Sequence, residues 1–298
     1  MKRFFLIFLI LFSSKTLFCQ EPSPLPDTVK YWHLNGQAGL SFSQASFTNW
    51  AAGGVNSFSG NTLARINTSY NRNKSSWESY LLGGYGLTHQ GNGKWIKNDD
   101  KIELLSKYGY KMATSWYYSA VVGFRTQFAP GYENPTEEQN LVSEFMAPAY
   151  LTASLGMDYK PNAVFALFLS PVTERLTIVR NDSLSNAGAY GVKPGKKTRS
   201  EIGGYVKMIF KKDNIIQNVN LASNLDLFSN YANHPERVDV NWKVFASVKI
   251  SKLLTLTFDT QLIYDYDIKF IEIVNNLPVE KTKVQWKEVL GLGFLATF

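Results

Sequence analysis

Three histidines, His33, His89 and His234, and a single cysteine, Cys19, set the ceiling on metal chemistry in this 298-residue chain. Structural zinc needs four Cys or His ligands at close spacing, and no such pair occurs. The stretch "NDD", ending in Asp99 and Asp100, offers two carboxylates and with them the chemistry of a calcium ligand. It lacks the alternating oxygen ligands and closing glutamate of a calcium loop, so a solvated acidic turn is the plainer reading. There is no G-x-S-x-G elbow, no phosphate-binding loop and no dinucleotide fingerprint. Ser, His and Asn all occur, but spacing gives His89 no carboxylate or amide partner of the kind a hydrolase needs. The residues therefore point to no catalytic group, no metal and no cofactor.

Ionisable side chains on alternating segments have more to offer. One face carries Arg65, Glu78, Glu103, Lys107, Arg125, Asp158, Glu201, Lys207, Asp226, Lys243 and Asp259, five basic against six acidic. Enclosed in a narrow barrel, they would pair across the lumen and fill it, or else line a small aqueous path with a weak field. Arg125 in "FRTQFAPGY" lies just below the longest loops; Lys107, Glu103, Arg65 and Asp259 are further lumen candidates. In the loops, Trp50 of "TNWAAGG" and Tyr132 of "RTQFAPGY" suit a stacked plug or a surface for a sugar or lipid head group. The bland alternative is that both rings anchor loops to a rim. No particular small-molecule ligand is specified.

The elements that must hold these groups are strands. From Tyr31 onward the pattern has period two. In "SWYYSAVVGFRTQF", Trp116, Tyr118, Ala120, Val122 and Phe124 oppose Tyr117, Ser119, Gly123, Arg125 and Gln127. In "VDVNWKVFASVKI", Val240, Trp242, Val244 and Ala246 oppose Asp239, Asn241, Lys243 and Ser247. About twelve such strands are predicted, over 31–43, 55–70, 76–90, 100–111, 116–129, 147–159, 164–179, 200–210, 218–230, 238–250, 254–266 and 284–298. No segment predicts an amphipathic helix.

The connections alternate between short ("NRNKS", "MATS", "KPNA", "SKL") and long ("APGYENPTEEQNLVSEFMA", "RNDSLSNAGAYGVKPGKKTR"). Long links follow odd strands and short ones follow even strands. An all-β, up-and-down antiparallel transmembrane barrel with both termini on the short-turn side has this pattern. Trp32, Trp116, Tyr118, Tyr264 and Trp286 fall near strand ends, where an aromatic girdle belongs. The chain ends within a strand, on Phe298, which resembles the signal of proteins handed to the barrel-assembly machinery. One segment fits poorly: "AVFALFLSPVTERLTIV" is apolar on both faces and contains Pro171, which predicts a spanning part ending near Ser170 and a projection beyond it.

Lys2 and Arg3 before "FFLIFLILF" predict a signal peptide over 1–19, a Pro-rich lead-in over 20–30 and one barrel domain over 31–298. Cys19 is either lipidated or removed with the leader. Without Lys2, Arg3 and Lys15, 28 basic residues face 24 acidic ones, too even a balance for nucleic-acid binding. The expected location is the outer membrane of a Gram-negative cell, in contact with its lipid. A non-enzymatic pore, transport-like or structural barrel with a loop ligand surface is expected. A barrel hydrolase acting on lipid or peptide, and a soluble periplasmic barrel binding an apolar ligand, are the alternatives.

Several stretches together, "FTNWAAGG", "DDKIELLSKYGYK", "WYYSAVVGFRTQFAPGY", "LGMDYKP", "LFLSPVTERLTIV" and "AGAYGV", resemble a family of Bacteroidetes proteins that carry a domain of unknown function. The resemblance runs from about Trp32 to the C-terminus. It implies a secreted or outer-membrane β-protein, and it carries over no catalytic residue or ligand.

Overall fold

A computed structural model describes residues 30–46, 55–251, 254–274 and 277–297. In chain order its strands are β1 (Trp32–Ala45), β2 (Ser57–Arg72), β3 (Ser75–Gln90), β4 (Trp95–Lys111), β5 (Trp116–Thr126), β6 (Gly131–Asn134), β7 (Gln139–Ser143) and β8 (Ala149–Tyr159). They continue as β9 (Phe165–Ile178), β10 (Thr198–Ile216), β11 (Val219–Asn230), β12 (Val238–Lys249), β13 (Leu254–Tyr264), β14 (Phe270–Val274), β15 (Leu277–Lys281) and β16 (Gln285–Thr297). Twelve of them close into an antiparallel barrel in the order β1-β16-β13-β12-β11-β10-β9-β8-β5-β4-β3-β2. The pairs β6–β7 and β14–β15 are separate hairpins inside two of the long connections.

The barrel is polar inside and apolar outside. Among the described residues twelve polar or charged side chains are buried against eight hydrophobic ones, and half of the latter (Ala147, Val179, Leu184, Val192) form a cluster in the loops rather than in the lumen. Large apolar side chains instead face outward, with Leu34 68%, Leu290 64% and Leu155 62% exposed. A soluble barrel would invert that distribution; lipid is the solvent that accepts this one. At the short-turn end the wall carries paired outward aromatics, Trp32–Tyr70 at 5.0 Å, Trp77–Tyr108 at 6.0 Å and Trp116–Tyr159 at 4.8 Å between centroids. At the long-loop end Phe58 and Trp95 pack at 6.2 Å, and Tyr264 on Tyr266 at 4.9 Å. These are the two interfacial girdles of a transmembrane barrel.

Three expectations need correction. β9 does not leave the wall at Pro171: it stays paired to Ile178 with both β8 and β10. Leu155 and Met157 face Val172 and Leu169, so β9 spends one extra residue there, and the β10 ladder shifts at the same place between Gly203 and Tyr205. This bulge needs no ladder hydrogen bond from Pro171 and reverses the phase of the strand. Phe168 and Ser170 are buried before it, Thr173 and Thr177 after it. Second, the connection between β9 and β10 does contain a helix, α1 (Asp182–Asn186), whose N-cap Asn181 accepts from the Leu184 amide at 3.0 Å. A helix this short has no periodicity to read. Third, β4 begins five residues earlier than predicted, at Trp95, which brings Asp99 into the wall.

The loop cluster is a small apolar core. Ala147, Val179, Leu184 and Val192 are buried, with Leu141, Ala189 and Tyr190 against them. Tyr190 donates its hydroxyl to the Val142 carbonyl at 2.5 Å. Burial pushes that hydroxyl up to about 12. The connections β5–β8 and β9–β10 are thereby fastened to each other at the long-loop end.

Candidate functional site: a bridged lumen

Alternation turns every second side chain inward, and strands from opposite walls bring their inward charges together. Near the short-turn end Lys107 of β4 contacts Asp158 of β8 at 2.8 Å, and Ser119 donates to the same carboxylate at 3.0 Å. Lys160 reaches Glu78 of β3 at 2.8 Å. Further along, Lys207 of β10 pairs with Asp226 of β11 at 2.7 Å, and the Tyr205 hydroxyl donates to that carboxylate. Arg65 lies over the Tyr80 ring at 4.1 Å and donates to Asn67 at 2.7 Å.

The next level crosses the lumen. Lys243 of β12 contacts Glu103 of β4, and those strands are six places apart in a ring of twelve, on opposite walls. Lys101 of β4 lies 3.7 Å from Asp259 of β13 and 3.5 Å from Asp99. Asp99 also contacts Lys287 of β16. Gly84 makes room for this arrangement, since a Cβ there would lie 2.8 Å from the Lys101 Cε. Arg125 stands opposite Glu103 in the β4–β5 register and over the Tyr150 ring at 4.9 Å.

At the long-loop end Arg175 contacts Glu201 at 2.9 Å and Asp239 at 2.7 Å, and covers the Phe228 ring at 4.1 Å. Arg199 contacts Glu201 at 2.8 Å and Asp267 at 2.6 Å. Carboxylate oxygens of Asp239, Asp265 and Asp267 lie within 4.8 Å of one another, the arrangement closest to a metal site among the described residues. Two of the three are held by guanidinium groups, which leaves Asp265. Burial raises its carboxyl above the usual range, and the neighbouring Asp239 carboxylate adds to the rise.

Of the lumen candidates, Arg125, Lys107, Glu103, Arg65 and Asp259 all lie inside the barrel, Lys107 at the short-turn level and Glu103 and Asp259 at the cross-lumen level. Tyr132 lies in β6, opposite Leu141 of β7. Trp50 and Phe298 fall outside the described residues, as do Cys19 and the leader. The "NDD" carboxylates are engaged otherwise than as a calcium pair. Asp99 turns to the lumen lysines, while Asp100 accepts from Lys97 at 2.9 Å and from the Phe128 and Ala129 amides at 2.7 and 2.9 Å. The sequence reading missed Arg175, Arg199 and Lys101. The signal for Arg175 was the alternation Thr173, Arg175, Thr177 resuming out of phase after Pro171.

Residues 42–132 match a family model described as "Protein of unknown function (DUF3078)". No curated protein matches the chain in sequence. Solved structures with a similar barrel include the COG4313 outer membrane channel from Pseudomonas putida F1, at 13% identity and a TM-score of 0.41, covering 95% of this chain and 100% of that one. The translocator domain of autotransporter NalP from Neisseria meningitidis is another, at 8% identity and a TM-score of 0.38, covering 90% of this chain and 89% of that one.

Proposed function

We propose that the chain is a non-enzymatic outer-membrane channel whose lumen is held narrow by ion pairs between opposite walls. The observation that carries this reading is the Lys243–Glu103 contact across the ring, flanked by Lys101, Asp99, Asp259 and Lys287. Polar lining gives a solute a path that lipid-facing residues would not, and paired charges of both signs leave the path a weak net field. Both termini lie on the periplasmic side in this reading, the long connections face outward, and outer-membrane lipid is the surrounding solvent. Insertion runs through the barrel-assembly machinery and the C-terminal strand. The fastened loops, with Tyr132, form the outer mouth of that path.

A hydrolase would need a serine beside a histidine at the outer rim. His89 instead rests against the Trp95 ring at 5.2 Å, and His234 against Glu236 at 3.0 Å. A soluble barrel around an apolar ligand would need an apolar interior, and the described interior is polar.

Planar-bilayer recording tests the channel. Wild-type protein is expected to show a small unit conductance, and Lys243→Ala combined with Glu103→Ala a larger one, because the double variant removes the cross-lumen bridge and keeps the net charge of the lumen. A folded double variant that conducts no ions would overturn the reading.

A further inference from the structure

The barrel closes between β1 and β16, and that seam is incomplete. Its ladder runs from Gln37 opposite Thr297 to Phe42 opposite Leu292 and stops there. Both strands continue, β1 to Ala45 and β16 back to Gln285, without pairing to each other. Backbone left unpaired at a membrane interface marks a place where the wall opens most easily. A cavity lies on each side of this seam. The inner one is lined by Ser41, Val289 and Gly293 of the two strands, by Phe245 of β12, and by Asp99, Lys101, Asp259 and Lys287. The outer one is an apolar groove at Ala38, Ala64, Gly83, Phe128 and Ala296. Gly39, Leu40 and Phe294 border both.

We propose that the inner chamber takes the head of a single-chain zwitterionic amphiphile, admitted through the notch between β1 and β16 while its tail stays in the outer groove and the lipid. This deepens the channel reading by naming a substrate class, and it rests on that reading. The charges select the head. Two lysines and two aspartates line the chamber, so its formal charge is zero. A head bearing both signs exchanges partners with them and leaves no charge uncompensated, whereas a purely anionic head strands an aspartate. The exchange is open, because Lys101 stands 3.5 and 3.7 Å from its two carboxylates, beyond the 2.7–2.9 Å of a good charge-assisted hydrogen bond. Asp259 is 42% exposed and Lys287 43% exposed at the side chain, so an ammonium has the first to meet and a phosphate or carboxylate the second, in exchange for its contact with Asp99.

Native mass spectrometry of the detergent-solubilised full chain, with lysophosphatidylethanolamine, lysophosphatidylglycerol and dodecanol as probes, tests the head. The zwitterionic lipid is expected to bind about tenfold more tightly than the anionic one, the effect of one charge-assisted hydrogen bond. Asp259→Asn is expected to erase that preference, and Lys287→Gln gives a second variant should the first fail to fold. Equal binding of all three probes, or a preference untouched in both folded variants, overturns the proposal. The notch is tested by Gln44→Cys with Leu290→Cys in a Cys19→Ser background, joined by a short bismaleimide in vesicles doped with the zwitterionic probe. Slower loading is expected after joining, and unchanged loading overturns lateral admission. Ion conductance of the same preparations separates the two readings: binding without conductance in any variant removes the channel, and conductance without head-group preference removes this inference alone.

Discussion

Arg175 shows how much one buried cation can hold. Its guanidinium is shared between Glu201 and Asp239, with Asp267 at 3.7 Å, and the Glu201 side chain is only 2% exposed. Arg175→Met keeps the volume and the contact with Phe228 but leaves two carboxylates short of a partner. Removing one member of a buried pair costs 3–5 kcal/mol in general. Arg199 still reaches Glu201, so a loss of about 3 kcal/mol is expected. Reversible urea unfolding in lipid vesicles measures it; a change below about 1 kcal/mol, typical of an exposed pair, would mean that water reaches this cluster freely.

At the scale of one strand, facing decides cost. On β12, Val244 shares the outward face with the exposed Trp242, while Lys243 points across the lumen to Glu103. Val244→Arg places a cation in hydrocarbon and is expected to cost about 2–4 kcal/mol. Lys243→Ala strands Glu103, rather than Asp226, whose partner is Lys207, or Asp259, whose partner is Lys101. Arg125, opposite Glu103 in register, softens that loss, so the alanine variant should cost less than the arginine one. The same vesicle assay ranks the two, and the reverse order would mean that the face assignment of β12 is inverted. The β9 bulge extends the argument to a whole segment. Deleting Pro171 removes the extra residue, so that Ser170, Thr173, Arg175 and Thr177 all face inward in one unbroken alternation. Arg175 keeps Glu201 as its partner, so a folded, heat-modifiable barrel is expected on a semi-native gel. Loss of the folded barrel in the deletion variant would show that the bulge itself, and not the facing alone, is required.

For the molecule as a whole, closure is the organising event. Each strand pairs on both sides only once β16 reaches β1, and an open sheet cannot rest in lipid because its edge groups find no partner there. Assembly should therefore depend on the last strand. Phe298→Ser is expected to lower the amount of barrel recovered in the outer-membrane fraction and to leave protease-sensitive chain in the periplasm. Wild-type levels of heat-modifiable barrel in that variant would remove Phe298 from the assembly step, and recovery of the wild-type chain in an osmotic-shock fraction would remove the membrane location.

The strand count, the antiparallel order and the outward apolar face were all legible in the sequence, because a residue's facing in a strand follows from its parity and needs no distant information. Val244 and Lys243 could be placed on opposite faces from "NWKVF" alone. Loop sorting is a one-dimensional signal too, and it fails only at β3–β4, where the early start of β4 leaves residues 91–94 as a short turn. What tertiary structure decided was partnership. Glu103 lies 140 residues before Lys243 in the chain, and only closure of the ring sets their strands on opposite walls within reach. The phase of β9 after Pro171 was decided by its two neighbours, since a bulge is a property of a ladder and not of one strand. The incomplete β1–β16 seam has the same origin: each strand alternates normally in sequence, and the missing pairs exist only between them.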